Sequence, residues 1–114
     1  MDVRIIKEPI TKIELKEIAE ERFGDLVKVV VDIELGVMAI GGELHADEEA
    51  VLLEQGSEQR NLWGINLYPD ITDENWIEFD SMINVRPSQD NRSRGVDSAE
   101  IREKITNIVK KLIQ

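Results

Sequence analysis

The chain has 114 residues, and its 24 aspartates and glutamates outnumber its 14 lysines and arginines, giving a formal net charge of −10. This length fits one domain spanning residues 1–114, and no apolar run approaches the roughly 20 residues that a membrane-spanning helix needs. The absence of cysteine excludes disulfides and cysteine nucleophiles, and the acidic balance disfavours general nucleic-acid binding. No signal-peptide core follows the first residues, so we expect a soluble cytoplasmic protein.

The charge is unevenly distributed along the chain. Residues 25–82 carry 14 acidic and 2 basic side chains, a net charge of −12, whereas residues 83–114 carry 4 acidic and 7 basic ones, a net charge of +3. One interpretation is that the basic C-terminal segment folds back and neutralises the acidic middle. The other is that the acidic middle forms a binding surface of one sign, suited to a basic protein partner.

The first predicted elements are a short strand and a helix. Residues 3–6 contain three β-branched apolar side chains and precede Pro9, as is typical of a strand. Thr11 has the position of an N-cap and Glu14 completes a capping box, so a helix is expected over 11–23. Gly24 suits the left-handed conformation that ends a helix. The apolar stripe of this helix comprises Leu15, Ile18, Ala19 and Phe23.

A β-hairpin is predicted over residues 26–44. Two apolar runs flank a turn in which Gly36 suits a positive φ angle. Both faces of the hairpin are largely apolar, which predicts a central and buried position in the sheet. The pair Gly41-Gly42 indicates a bulge or a close approach of the backbone to another group.

Residues 46–55 fit two structures. Asp47 can cap a short helix that has acidic side chains in its first turn and Gly56 at its end. The run Ala50-Val51-Leu52-Leu53 is also compatible with a strand. The helix is preferred, and the strand stays open as the alternative.

Two alternating segments and a second helix complete the chain. Residues 62–68 alternate as a strand does, and residues 76–86 do so over a longer stretch. The apolar face of the longer segment comprises Ile77, Phe79, Ile83 and Val85. A helix is expected over 97–113 with Asp97 as its N-cap. The order β-α-β-β-α-β-β-α is typical of an α+β fold, with a mostly antiparallel or mixed sheet of about four to five strands and two to three helices.

The polar face of segment 76–86 is the first candidate site. In a strand, side chains on one face lie about 7 Å apart, so this face would present carboxylate, amide and guanidinium groups in a row. The row comprises Glu78, Asp80, Asn84 and Arg86, with Asn66 and Tyr68 beside it if the two strands pair. Such a set can bind a polar ligand or a divalent cation. The alternative is a solvated face with cross-strand ion pairs, and Trp76 and Met82 on the same side favour a covered one.

His45, the only histidine, is the second candidate. A mixed metal site with Glu43, Asp47 or Glu48, or a role as general base, is chemically conceivable. The alternative is a structural histidine that hydrogen-bonds to the backbone at the start of a helix. No nucleophile–base pair accompanies it, so catalytic residues and cofactor stay unassigned, and no metal is predicted.

The loop over residues 86–95 is the third candidate, because it carries three arginines ahead of a helix. Arg86, Arg92 and Arg94 could hold a phosphate or carboxylate together with the amides of the helix start. Asp97 at the predicted cap would compete with such an anion. The alternative is that these arginines pair with the acidic middle of the chain.

Three stretches resemble an uncharacterised family of small prokaryotic proteins, classed as a domain of unknown function. They are VMAIGGELHAD at 37–47, LWGINLYP at 62–69, and IEFDSMINVRP at 77–87 followed by NRSR at 91–94. The resemblance covers nearly the whole chain and implies a complete stand-alone protein. Since the family has no established activity, the resemblance implies no substrate, cofactor or catalytic residue.

The leading functional hypothesis is a small non-enzymatic binding or regulatory protein that recognises a protein partner through an acidic surface. The alternative is a small-ligand or metal-binding protein, or an enzyme, that uses the polar face and arginine loop at 78–94, so enzymatic activity stays open. A less favoured hypothesis is contact with a nucleic-acid phosphate through the three arginines. An uncovered edge strand would also allow a homo-oligomer.

Overall fold

Five antiparallel strands form a single sheet. The computed structural model, which describes residues 3–114, has strands β1 (Arg4–Ile6), β2 (Val27–Asp32), β3 (Val37–Ile40), β4 (Leu62–Leu67) and β5 (Ile77–Glu78). Their order across the sheet is β1-β3-β2-β4-β5. The predicted hairpin of β2 and β3 is confirmed, with Gly36 at φ 69° in its turn.

Three α-helices accompany the sheet. They are α1 (Lys12–Arg22), α2 (His45–Glu54) and α3 (Ala99–Leu112). The α+β class and the predicted order of elements are confirmed, and the helix is the correct alternative for residues 46–55. Within residues 3–114, no helix is long and apolar enough to cross a membrane.

The sheet carries a separate apolar core on each face. Helices α1 and α3 cover one face. The core there includes Leu15, Ile18, Val29, Val31, Trp63, Ile65, Ile105, Val109 and Leu112. Helix α2 covers the other face and packs Leu52 against Val30, Ala39 and Leu62. Strand β2 is therefore buried on both faces over most of its length, as its apolar sequence predicts.

The helix boundaries follow local hydrogen bonds, and two predicted caps are wrong. Thr11 caps α1 as predicted, because its hydroxyl accepts from the Glu14 amide. The N-cap of α3 is Ser98 rather than Asp97, since Ser98 accepts from the Ile101 amide and Asp97 accepts instead from the Ser93 hydroxyl. Such bonds satisfy amides that a helix start leaves unpaired.

Helix α2 begins two residues before its predicted cap, Asp47. Its N-cap is Leu44, which offers no side-chain hydrogen bond. The earlier start places His45 and Glu48 on the buried side of the helix, facing the sheet. The expected burial of Phe23 is also wrong: the residue is 43% exposed at the C-cap of α1, and Lys28 Nζ lies 5.4 Å from the centroid of its ring.

The predicted strand over residues 76–86 is the largest error. Strand β5 ends at Glu78, and two short 3-10 helices follow at Met82–Asn84 and Pro87–Gln89. The first begins where the Ser81 hydroxyl accepts from the Ile83 amide. The apolar residues that alternate in sequence therefore diverge: Ile77 and Phe79 join the core under α3, Ile83 joins the core under α2, and Val85 is 38% exposed. Trp76 is buried and Met82 is exposed, so these two do not share one covered face.

Candidate functional site

Three polar side chains meet where β4 and β5 pair, and we call them the Glu78 cluster: Asn66, Tyr68 and Glu78. Asn66 and Glu78 are directly opposed in the sheet. Glu78 Oε1 accepts from Asn66 Nδ2 at 2.9 Å and from the Tyr68 hydroxyl at 3.0 Å. Two donors thus fix one oxygen of an exposed carboxylate.

The amide of Asn66 has one possible orientation in this cluster. Its nitrogen donates to Glu78 Oε1 and, at 3.4 Å, to the backbone oxygen of Asp80, and both of these partners only accept. The amide oxygen, Oδ1, is consequently directed elsewhere. This oxygen is buried and accepts no hydrogen bond within residues 3–114, and the residue as a whole is only 8% exposed. A buried unpaired acceptor is unfavourable by about 1–3 kcal/mol.

Tyr68 lies in a strongly negative environment. Burial raises the pKa of Tyr68, and the hydrogen bond to Glu78 raises it further because a phenolate cannot donate. The negative charges of Glu78, Asp25 and Asp80 act in the same direction. Three carboxylates therefore face one phenol, which stays protonated and donating at neutral pH.

Asp80 and Arg94 form an ion pair beside the cluster. Arg94 Nε lies 2.7 Å from Asp80 Oδ1, and both side chains are about half exposed, at 56% and 42%. The pair joins the acidic middle of the chain to its basic C-terminal part. Arg86 and Glu49 join the same two parts at 3.7 Å, so the predicted internal neutralisation is realised at these two contacts.

His45 ties α2 to the sheet. Its Nε2 lies 2.8 Å from the backbone oxygen of Ile65, and since a carbonyl only accepts, Nε2 carries the proton. Burial lowers the pKa of His45, which is only partly offset by the bond to Ile65; the charges of Lys28 and Arg94 lower it and that of Asp80 raises it. The neutral ring serves as a tether, with its second nitrogen left as an acceptor.

Glu48 is a buried acid, although its sequence position predicts only a favourable residue of a first helical turn and a conceivable metal ligand. It is fully buried, Oε2 accepts from the Gly42 amide at 2.9 Å, and Oε1 has no partner within the described chain. Burial raises its pKa to about 9, against smaller opposing effects from the Gly42 hydrogen bond and Lys28. A Cβ on Gly42 would lie 2.9 Å from Glu48 Cγ, so the predicted close backbone approach at Gly41-Gly42 is confirmed.

Asn84 and Arg86, two of the predicted site residues, are engaged within the fold. Asn84 is fully buried and bonds to both backbone groups of Gly64. The guanidinium of Arg86 donates to the backbone oxygens of Ile83 and Leu62 and lies 4.8 Å from the centre of the Trp63 ring. Burial lowers the pKa of Arg86, partly offset by Glu49.

The three arginines of the predicted anion site are in different environments. Arg86 is 9% exposed and fully engaged, Arg94 pairs with Asp80, and Arg92 is exposed. The loop that carries them is organised by Asn91, which was not among the predicted site residues. Its amide nitrogen donates to the Asn84 and Gly95 backbone oxygens, and its amide oxygen accepts from the Asp97 amide. The loop over residues 86–95 contains a single asparagine, and no local sequence pattern predicts this role.

The sequence-predicted residues therefore divide into two groups. Asn66, Tyr68 and Glu78 meet, with Asp80, Arg94 and His45 close by. Asn84, Arg86 and Arg92 lie outside the cluster. Among residues 3–114, no group of three or more histidine, aspartate or glutamate side chains is arranged to hold a metal ion.

One open groove of about 720 Å³ lies away from the Glu78 cluster, between residues 72–79 and helix α3. Trp76, Ile77 and Phe79 line its apolar part, and Lys110 and Glu103 stand on the helix side. Lys12 Nζ lies 4.6 Å from the centre of the Trp76 ring. The side chains that line this groove carry charges of both signs, and its polar groups are not gathered around one point as in a binding site.

Comparison with known proteins gives a family but no individual relative. No curated protein and no solved structure matches the chain. A family described as "Protein of unknown function (DUF5674)" matches residues 4–112, which include every element of the sheet and all three helices. This agrees with the resemblance to an uncharacterised family, and no specific function accompanies it. The chain belongs to this family of unknown function, DUF5674.

Proposed function

We propose that this protein is a non-enzymatic binding protein that recognises a basic protein partner through an acidic surface centred on Glu78. The observation that carries the proposal is the Glu78 carboxylate itself. It is exposed on an edge strand, yet Asn66 and Tyr68 hold one of its oxygens in place. A carboxylate that is already ordered loses little conformational freedom on binding a cation.

The surrounding charge supports a cationic partner. Asp25 and Asp80 lie near Tyr68 and add negative charge to that of Glu78. The nearest cation on the adjoining strand is Lys28, which is paired in register with Asn66, but its Nζ lies over the Phe23 ring. No ion pair to Glu78 occurs among the described residues.

The alternative, a small-ligand or metal site spanning residues 78–94, has weaker support. It requires Asn84 and Arg86 to be available to a ligand, and both are buried and bonded to backbone groups. The same proposal includes that the protein is prokaryotic and works in the cytoplasm. Its acidic composition without cysteine is compatible with that location.

Binding of a labelled basic peptide tests the proposal. The probe is a fluorescein-labelled peptide of alternating glycine and mixed lysine and arginine, titrated with the protein at about 50 and 200 mM salt and followed by anisotropy. The variant Glu78→Gln should weaken binding roughly two- to fivefold, the range of an exposed ion pair. Higher salt should weaken binding of the wild type more than binding of the variant.

The matched control is Glu34→Gln, which removes the same charge from an exposed side chain in the turn between β2 and β3. It should leave binding almost unchanged. Equal losses in the two variants would show that only net charge matters, and the proposal of a surface centred on Glu78 would then be wrong. Absence of any peptide binding by the wild type at low salt would also overturn it. Thermal unfolding of both variants checks that they fold.

A further inference from the structure

We propose that the partner binds as an extended segment, which adds a parallel strand to the free edge of β5 and places apolar side chains in the groove next to α3 and a basic side chain beside Glu78. This inference rests on the proposed function and specifies how the partner is held. Three features of β5 support it: two backbone groups without a partner on its outer edge, an apolar groove on one face, and a carboxylate on the other.

Strand β5 directs backbone groups of Ile77 and Phe79 away from the rest of the sheet. The Tyr68 amide donates to the Trp76 oxygen at 2.8 Å, and Glu78 pairs with β4 two residues further on. Alternate residues of an edge strand bond to the one neighbouring strand, and the oxygen and amide hydrogen of a trans peptide point in opposite directions. The Ile77 oxygen and the Phe79 amide, on either side of Glu78, therefore point away from β4.

These two outward groups are unpaired, and together they set the direction of an added strand. The Ile77 oxygen and the Phe79 amide have no hydrogen bond among residues 3–114, whereas the Ile77 amide donates to the Glu74 oxygen. A parallel strand places one residue opposite Glu78; its N–H donates to the Ile77 oxygen and its oxygen accepts from the Phe79 amide. An antiparallel strand paired with Ile77 would need the amide that Glu74 already engages. The free groups therefore match a parallel strand.

The groove beside this edge can accept one face of the added strand. It has a volume of about 720 Å³, and its apolar part is formed by Trp76, Ile77 and Phe79. Because side chains alternate along a strand, the residues before and after the one opposite Glu78 direct their side chains to the same face as Ile77 and Phe79. Polar groups do not converge in this groove, so it suits alternate side chains of an extended chain better than one compact ligand.

The opposite face of β5 requires a basic side chain on the added strand. The residue that pairs with Glu78 lies on the same face as this exposed carboxylate, which Asn66 and Tyr68 hold in place. Asp73 and Glu74, both exposed, add negative charge along the groove wall that precedes β5. The occupant is therefore a segment in which a lysine or arginine stands between two apolar residues.

Methylation of single peptide nitrogens tests this geometry. The probe is a fluorescein-labelled peptide with one lysine between two valines, flanked by glycine and serine and followed by anisotropy. A methyl group on the lysine amide removes the N–H that meets the Ile77 oxygen and should weaken binding about fivefold, the value of one hydrogen bond. The same methyl group on the following valine, whose N–H points away from β5, should change binding by less than about twofold.

A bulky side chain on α3 tests the groove. Thr106→Trp fills the groove from its helix wall and should weaken binding of the same peptide about fivefold or more. The matched control is Asn107→Trp, at the next position of α3, which is exposed and outside the groove; it should leave binding unchanged. Thermal unfolding checks that both fold. If Thr106→Trp does not fold, Glu103→Trp, at an exposed position on the same wall, replaces it.

The outcomes separate this inference from the proposed function. Equal effects of the two methylations, or equal binding to the two tryptophan variants, overturn the strand addition, and sensitivity to Glu78→Gln then leaves the acidic surface intact. Insensitivity to Glu78→Gln, with the contrast between the methylated peptides kept, overturns the acidic surface instead. Self-association of the protein in sedimentation, abolished by Thr106→Trp, would assign the groove to a second copy and overturn the inference. So would failure of this peptide to bind when the glycine, lysine and arginine peptide does.

Discussion

The side chain of Asn84 pairs with the backbone of Gly64 as a neighbouring strand would. Asn84 Oδ1 accepts from the Gly64 amide at 2.8 Å, and Nδ2 donates to the Gly64 oxygen at 2.9 Å. Strand β5 ends at Glu78, so the edge of β4 beyond that point would otherwise have unpaired groups. One amide side chain thus continues the sheet where the strand stops, and this explains why a segment that alternates like a strand is not one.

Replacing Asn84 with alanine should destabilise the protein by roughly 3 kcal/mol, because both Gly64 groups and the Arg94 oxygen lose buried partners. Urea unfolding measures the change. The control, Asn107→Ala on an exposed position of α3, should change stability by no more than about 0.5 kcal/mol. Similar values for the two variants would mean that Asn84 does not close the sheet.

A side chain added at Gly64 should destabilise the fold. A Cβ there would lie 2.5 Å from Ser81 Cβ and 3.2 Å from His45 Cδ2. Gly64→Ala should therefore destabilise by about 1–3 kcal/mol, the usual range for overpacking. Adding Ser81→Gly should recover part of that loss, as measured by a double-mutant cycle.

Gly95→Ala is the matched glycine control for that cycle. A Cβ at this position meets its nearest neighbours, Phe79 O and Ser93 Oγ, at 3.4 and 3.5 Å, which are ordinary contacts. It should fold with nearly unchanged stability. If Gly64→Ala behaves like Gly95→Ala, the packing of Ser81 on β4 is looser than these distances indicate.

The parts of the fold that sequence predicts well are held by contacts close in sequence. The Thr11 cap, the Gly36 turn and the helical period of α3 each depend on neighbours within a few residues. The alternating pattern after Glu78 predicted a strand, which is wrong. The structure of this segment depends on a contact that is distant in sequence, because Asn84 bonds to a glycine 20 residues away. Periodicity carries no information on such a bond.

The candidate site also has one part that the sequence predicts well and one part that it does not. Pairing of the two alternating segments was sufficient to bring Asn66 and Tyr68 beside Glu78. The partners of the arginines in the loop were harder to predict, since the same guanidinium can bind a ligand or donate to carbonyl oxygens inside the protein. For Arg86 the second alternative is realised through Leu62, which lies 24 residues earlier, and no local pattern distinguishes the two.

Arg86 should be required for stability in a way that lysine cannot replace. Its guanidinium serves two backbone oxygens, stacks on Trp63 and faces Glu49. Arg86→Lys keeps the charge but loses the planar fork, and Arg86→Met also leaves Glu49 without a cation. We expect losses of roughly 2 and 3–5 kcal/mol, respectively, by chemical unfolding. Arg92→Met, at an exposed position, should be nearly neutral; a comparable loss there would contradict a special role for Arg86.

Glu48 should make the protein less stable as the pH rises. Its pKa is raised in the folded state from 4.5 to about 9, so the folded protein retains a proton that the unfolded chain has already released between these values. The favourable contribution is therefore complete below about pH 4.5 and is lost progressively up to about pH 9. Glu48→Gln keeps the shape and an acceptor for the Gly42 amide but cannot ionise. The variant should match the wild type near pH 5 and exceed it by on the order of 3 kcal/mol near pH 7.

Urea unfolding of both proteins at pH 5, 7 and 8.5 tests this dependence on Glu48. Asp47→Asn is the matched control, since Asp47 is the exposed neighbour in the same helical turn, and its curve should run parallel to that of the wild type. His45 acts in a different range: its pKa is lowered, so its favourable contribution is present above about pH 6.5 and is lost as the pH falls below that value. A Glu48→Gln curve that stays parallel to the wild type from pH 5 to 8.5 would mean that Glu48 is ionised in the folded protein and that a cation or water reaches Oε1.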